Sequence, residues 1–325
     1  MLDSSFQHTL ACPFTIEGVG VHSGIVTRLT VKPAPPRTGI IFIRTDVHDK
    51  NNVIPALWDH VVDTRLCTVL ANSDGVRVST VEHLLSAFAA LGLDNAIVEI
   101  DGAEMPIMDG SAAPFVAAID ESGLIRQNEK RLILKVKRMV SYQEGDKEVY
   151  LSPAPETWFG FEISFDTSLI GRQKFTHRFD ETLYRHEIAQ ARTFGFLHEV
   201  EQLRQAGLAR GGSLENAIVI DGDKVLNPGG LRFKNEFVRH KILDAVGDIF
   251  LAGHRLLGHY HGVRAGHAMN NKALRALFAQ KDAFELVEAY TAPTTTLPQK
   301  TAASRKKTAS GRIYGESEAA LSITA

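Results

Sequence analysis

Apolar and polar positions follow two different periods along this chain, and the switches between them lay out its elements. Residues 28–32 alternate and residues 39–43 form an apolar run, and both patterns predict strands. Before them, Gly-Val-Gly-Val-His-Ser-Gly (18–24) lacks the GxGxxG of a phosphate cradle and predicts a tight hairpin. A strand is expected to end near Val78, and the spacing from Ser79 to Glu82 has the form of a capping box that opens an apolar helix reaching Gly92. Residues 95–101 predict a strand, and 106–115 a turn entering a helix that runs to about Ser122. Around residues 128–131 the pattern fades into charge, where a domain boundary is expected. Strands at 132–140, 149–152 and 159–165 follow, with a hairpin at 144–147 and a helix at 186–192. From Leu197 to Asp221 the pattern predicts a short amphipathic helix, a Gly211-Gly212 break and a strand at 217–220. A helix at 237–248 and a strand at 256–265 lead to a loop at 266–272 and a further helix. From Thr291 to Ala325 the chain is rich in Thr, Pro, Ala and Ser without hydrophobic period, which predicts a disordered tail.

The helix at 237–248 carries the densest chemistry. At 3.6 residues per turn, Phe237, His240, Lys241, Asp244 and Asp248 share one edge, while Val238, Ile242, Leu243 and Val246 fill the rest. So wide an apolar arc predicts a mostly buried helix. Two carboxylates and an imidazole on its remaining edge are costly to desolvate unless something cationic meets them. Two readings stay open: a solvent-facing stripe with salt bridges, or His240 and Asp244 as two ligands of a metal that needs a third. Glu82 either satisfies first-turn amides or, beside His83, reaches metal-activated water; His83 is either a hydrogen-bonded core histidine or a ligand. His259 and His261 fall on one face of a strand and compete as a metal pair, ranked lower because no carboxylate lies beside them. His267 follows Gly266 between a strand and a helix, a position that can present an imidazole to a cleft. His22 is either an ordinary turn histidine or faces a site. Leu197, Val200, Leu203 and Leu208 form either local core or a groove for an aliphatic ligand.

At 325 residues, two domains are the default. A net charge of -2 argues against a nucleic-acid binder, whose domains tend to be strongly basic. The two cysteines, Cys12 and Cys67, make neither a CxxC nor a disulfide framework, which fits a reducing compartment. No stretch approaches the ~18 apolar residues of a membrane span. The first residues lack a signal-peptide pattern, so a cytoplasmic protein is expected.

Six motifs in order carry a resemblance: the hairpin at 18–24, Ser-Thr-Val-Glu-His-Leu (79–84), Pro-Ile-Met-Asp-Gly-Ser-Ala-Ala-Pro-Phe (106–115), Ala-Arg-Thr-Phe-Gly-Phe (191–196), Phe-Val-Arg-His-Lys-Ile-Leu-Asp (237–244) and Gly-His-Ala-Met-Asn-Asn-Lys (266–272). Together they closely resemble the UDP-3-O-acyl-N-acetylglucosamine deacetylases of lipid A biosynthesis, from about residue 8 to residue 290. The resemblance implies an α+β fold of two α/β sandwich domains of similar topology, helices packed between two outer sheets, each domain with a small insert. The domains are expected at 1–128 and 129–290, with 291–325 as the tail. It implies one zinc per chain on His83, His240 and Asp244 with water as fourth ligand; ferrous iron is the alternative, because imidazole and carboxylate suit both. Glu82 matches the general base and Thr193 the oxyanion-holding residue. His267 matches the general acid, with Asp248 as the carboxylate that raises its pKa. Lys241 and Phe194 match contacts near the diphosphate and glucosamine ring, and Phe165 and Lys147 are candidates for the nucleotide end. The insert at about 197–221 matches an apolar acyl passage, with Leu197, Val200, Leu203, Gly212, Ser213 and Val219 as its substrate contacts. His198-Glu199 departs from the family pattern, where a basic residue and then aspartate are expected.

The expected reaction is removal of the N-acetyl group from a UDP-linked, 3-O-acylated glucosamine by a cytoplasmic monomer, without nucleic acid or stable membrane insertion. Two rivals are an amidase acting on another acylated sugar nucleotide and a non-catalytic carrier with a structural metal. Glu82, Thr193 and His267 speak against the carrier, since a structural site needs no base, oxyanion donor or acid.

Overall fold

Two five-stranded sheets carry the fold, and their strand orders are the same. The computed structural model describes residues 4–289; the expected tail lies outside the described residues. In space the first sheet runs Phe14–Val19, Val26–Pro33, Ala96–Ile100, Ile40–Arg44, Val53–Pro55. The second runs Val140–Glu144, Lys147–Ser152, His259–Val263, Trp158–Ser164, Arg172–Arg178. In each, two hairpins flank a central strand that comes last in the chain, antiparallel to one neighbour and parallel to the other. A parallel pair needs a long crossover, and each crossover brings a helix with it. The duplication lies in the pairing, where no repeat of residues announces it.

Among the described residues six α-helices accompany the sheets: α1 (Glu82–Leu91), α2 (Ala113–Ser122), α3 (Glu181–Glu187), α4 (Leu197–Gln205), α5 (Glu236–Phe250) and α6 (His267–Phe278). Every residue of α1 is buried. Gly92, left-handed at φ 76°, closes it by donating its N–H to Phe88 O. α1 packs on α5; α2 lies against Phe14–Val19, α5 against Trp158–Ser164, and α6 against Val140–Glu144 and Lys147–Ser152. The inner faces of both sheets (Leu29, Val31, Phe42 and Val98 on one, Val149, Leu151, Phe161 and Tyr260 on the other) join α1 and α5 in one apolar cluster. Two small inserts complete the α+β architecture. One is the antiparallel sheet Val61–Asp63, Val69–Ala71, Arg77–Ser79; in the other, α4 crosses between the parallel strands Phe194–Phe196 and Ile218–Asp221.

Four local expectations need correction. The strand expected at 256–265 is two strands: Arg255–Leu257 pairs with Leu132–Val136, and His259–Val263 enters the second five-stranded sheet. Gly258, at φ 154°, is the break, and a side chain there would meet Ser152 O at 2.9 Å. The strand expected at 132–140 likewise divides between those two sheets, at Val136 and Val140. The helix expected at 186–192 spans Glu181–Glu187 instead, opened by Asp180, whose side chain accepts from Leu183 N. Residues beyond it are drawn into tertiary bonds: Ala191 O accepts from His240, and Arg192 binds Glu236. The capping box is absent. α1 begins at Glu82 without a side-chain cap, because Thr80 sits at φ 60° and turns the chain there. A β-branched residue at positive φ is strained by ~1–3 kcal/mol and persists only when its surroundings fix it. Here Thr80 N donates to Thr68 O, and its hydroxyl binds Glu104.

Candidate metal and catalytic site

α1 and α5 touch backbone to backbone at one point. A Cβ on Gly247 would lie 2.0 Å from Glu82 O, so only glycine allows this approach. The contact sets the first turn of α1, with Glu82 and His83, against the polar edge of α5. That edge is buried: His240 is 2% exposed, Asp244 3% and Asp248 2%. The solvent-facing stripe is thereby excluded.

His83, His240 and Asp244 converge, each offering a ligand atom within 4.8 Å of the others. His83 Nε2 is 3.6 Å and His240 Nε2 3.3 Å from Asp244 Oδ1. Ligands at ~2.0–2.2 Å around a tetrahedral cation stand roughly 3.3–3.6 Å apart, so these two separations fit a metal between them. The donor chemistry fits as well. His240 Nδ1 donates to Ala191 O at 3.0 Å, which fixes the ring and leaves Nε2 with its lone pair toward the cluster. Lys241 Nζ binds Asp244 Oδ2 at 3.0 Å, while the buried Oδ1 has no hydrogen-bond partner among the described residues. Burial drives the His240 imidazole down to about 3, against the pull of Asp244, so it is neutral. Burial would push the Asp244 carboxyl up, but His240 and Lys241 outweigh it and hold it well below the usual range. A neutral His240 imidazole and an ionised Asp244 carboxylate are the states in which a divalent cation binds such ligands.

Beside this triad lies a second group. Glu82 Oε1 is 4.0 Å from His267 Nε2, and His267 Nδ1 meets Asp248 Oδ2 at 2.9 Å. Thr68 ties the group together: its N–H donates to Glu82 Oε2 at 3.1 Å and its hydroxyl to Asp248 Oδ1 at 2.5 Å. Asn270 Nδ2 donates to Asp248 Oδ2 at 2.8 Å. Burial works against the charged form of His267, yet Asp248 and then Glu82 raise it to about 9. Burial raises the Glu82 carboxyl, opposed by His267 and His83. The arrangement is an imidazolium facing a carboxylate of raised basicity, beside three potential ligands.

The other candidates fall around this centre. Thr193 is held two residues after Ala191, its N–H on Gly110 O and its carbonyl accepting from Ile218 N. Phe194 packs edge-on to Phe237, His240 and Phe165, and Lys241 Nζ lies 5.6 Å over its ring. Lys147 opens a strand opposite Glu144, and its charge is felt by Glu144 and Asp146 rather than by the triad. Leu197 is 39% exposed, and Val200, Leu203, Gly212, Ser213 and Val219 are half-buried. No residue of α4 is buried, so its apolar side chains are not local core. The insert docks on the 18–24 hairpin, where Arg210 N donates to His22 O and Gly211 N to Val21 O. Burial lowers the His22 pKa, Glu104 opposes it, and the charge of nearby His267 lowers it further. Thr68, Gly247 and the Ala191 carbonyl were not foreseen as site residues. Asn270 had one signal, its place three residues after His267 on the same face of a helix.

A fold of two like-ordered sheets with this cluster between its helices has a family. The family model for UDP-3-O-acyl N-acetylglycosamine deacetylase matches residues 7–279, and the chain belongs to that family. It is a deacetylase, a hydrolase acting on an amide bond. A UDP-3-O-acyl-N-acetylglucosamine deacetylase of Phenylobacterium zucineum is 52% identical over 281 residues, covering 86% of this chain and 96% of that protein. One from Myxococcus xanthus is 49% identical over 290 residues, 89% of this chain and 92% of that protein. One from Chromohalobacter salexigens is 48% identical over 283 residues, 86% and 93% respectively. Among the described residues no helix is long and apolar enough to cross a membrane.

Proposed function

We propose that the chain hydrolyses the N-acetyl group of UDP-3-O-[(3R)-3-hydroxyacyl]-N-acetylglucosamine and releases acetate, the committed step of lipid A biosynthesis. The observation that carries this is the Glu82–His267 pair, 4.0 Å apart beside His83, His240 and Asp244. A structural metal site has no use for an acid and a base. A divalent cation on those three ligands, one zinc per chain with ferrous iron as the alternative, would polarise the amide carbonyl and lower the pKa of water from 15.7 towards ~7. Glu82 takes a proton from the attacking water. The Thr193 hydroxyl donates to the oxygen on which negative charge develops. His267, charged through Asp248, gives its proton to the amine nitrogen as the C–N bond breaks. Lys241 and Phe194 hold the diphosphate and sugar, Phe165 and Lys147 the nucleotide end. Leu197, Val200, Leu203, Gly212, Ser213 and Val219 border the acyl chain. The working unit is a cytoplasmic monomer, with domains at 1–128 and 129–290.

The test is acetate release from that substrate against UDP-N-acetylglucosamine without the acyl chain. Rapid release from the acylated sugar alone is expected. Release from neither, by folded zinc-loaded protein, overturns the substrate assignment, and equal release from both removes the acyl passage.

A pH profile tests His267. A general acid works only while protonated, so turnover should fall as pH rises through the His267 pKa, which is about 9 before a cation is bound and lower beside one. Asp248→Asn removes the largest influence raising that pKa, so the fall should move to lower pH. An unmoved limb would remove Asp248 from this role.

A further inference from the structure

The outward face of the second five-stranded sheet carries a histidine pair that the hydrolytic centre does not use. His259 and His261 stand two apart on the strand His259–Val263, on either side of Tyr260, which points into the core. Across the sheet they neighbour Tyr150 and Ser152 on one side and Trp158 and Gly160 on the other. Their rings are 5.7 Å apart at 73°, with Tyr150 stacked on His261 at 5.1 Å and edge-on to His259 at 5.7 Å. His261 is 6% exposed. His259 Nε2 and His261 Nδ1 are both shielded from solvent, and neither has a hydrogen-bond partner among the described residues.

These two bare nitrogens flank the same spot. A Cβ on Gly160 would lie 2.3 Å from His261 Nδ1 and 3.2 Å from His259 Nε2. Any other residue at 160 would push the rings away, so the glycine lets both nitrogens close over one point of the sheet. Leaving two buried imidazole nitrogens unpaired is costly, and a shared ligand would remove that cost. A hydrogen-bonding ligand would need a donor for each nitrogen, whereas a single cation accepts both lone pairs. Burial lowers the pKa of both imidazoles, helped at His261 by His259 and Lys174 and opposed by Glu162, so each ring is neutral and has one lone pair to offer a cation.

We propose that His259 and His261, over Gly160, form a second metal site, selective for a transition metal that favours imidazole. Copper(II) should bind more tightly than zinc(II), following the usual order of divalent affinities at nitrogen sites. Asp244 completes a harder ligand set at the first site, whereas at the sheet pair Glu162 and Lys174, paired across neighbouring strands, act on His261 through their opposite charges.

The test uses the untagged, full-length, zinc-loaded protein, titrated with copper(II) under equilibrium dialysis and followed by electron paramagnetic resonance. Wild type is expected to take up one copper beyond its zinc, with a signal of nitrogen coordination. His259→Asn and His261→Asn should weaken that copper about tenfold or more, since loss of even an outer partner of a metal ligand costs ~10–100-fold. Gly160→Ala should do the same without removing a ligand. All three variants should keep their copper-free deacetylase activity, which also reports that they fold. If one fails to fold, the other two decide. Unchanged copper affinity in the folded variants, or no tight extra copper in wild type, overturns the site.

Discussion

Stripping the metal from this protein should abolish acetate release, and zinc alone should restore it, at about one equivalent per chain. The expectation rests on the electrostatics of the triad. His83, His240 and Asp244 converge with Asp244 Oδ1 unpaired among the described residues, in a pocket where an uncompensated polar group is expensive. The same ligands predict a stability effect of known sign. A cation that binds only the folded chain stabilises it by RT ln(1 + [L]/Kd), about 4 kcal/mol at a thousandfold excess over Kd. Melting temperature should therefore rise with added zinc and fall with chelator. Asp244→Ala should lose both the metal and the response. Turnover indifferent to chelation would end the metal mechanism.

Glu82→Gln should keep the metal and lose activity by roughly 10²–10⁴-fold, the usual contribution of a general acid or base. Glutamine preserves the shape of the side chain and an oxygen to accept the Thr68 N–H, but it cannot take a proton from water. Because Glu82 lies next to the triad and is not one of its three members, zinc content measured on the purified variant should match wild type. Loss of zinc would move Glu82 into the ligand set. Full activity would hand the base role to another group, with His267 the nearest candidate at 4.0 Å.

How far the sequence reaches depends on whether a feature is local. The pairing of His240 with Asp244 was legible because four residues make one helical turn. That His83 joins them was not, since no periodicity connects residues so far apart; the motif resemblance brought them together. The like order of the two sheets was invisible to periodicity, because alternation marks a strand without saying which strand it pairs with; the resemblance alone implied it. Where local pattern failed, a tertiary demand explains it. Residues 188–192 have helical composition, but the Ala191 carbonyl is needed under His240 and Arg192 on Glu236. Ser79 and Glu82 have the spacing of a cap, yet the left-handed turn at Thr80 and the approach of Gly247 claim that part of the chain first.

The contact between Gly247 and Glu82 also fixes when in the life of the chain a metal can be captured. Two members of the proposed ligand triad lie on α5 and the third on α1, so the first half of the chain alone carries only His83 of the three. The nascent chain cannot hold zinc as a three-ligand site until synthesis has passed Asp244 and the two helices have met at their glycine. On the proposed ligand set metal loading would be a late event, and its dependence on that one close approach would make metal uptake a reporter of correct docking of α1 on α5.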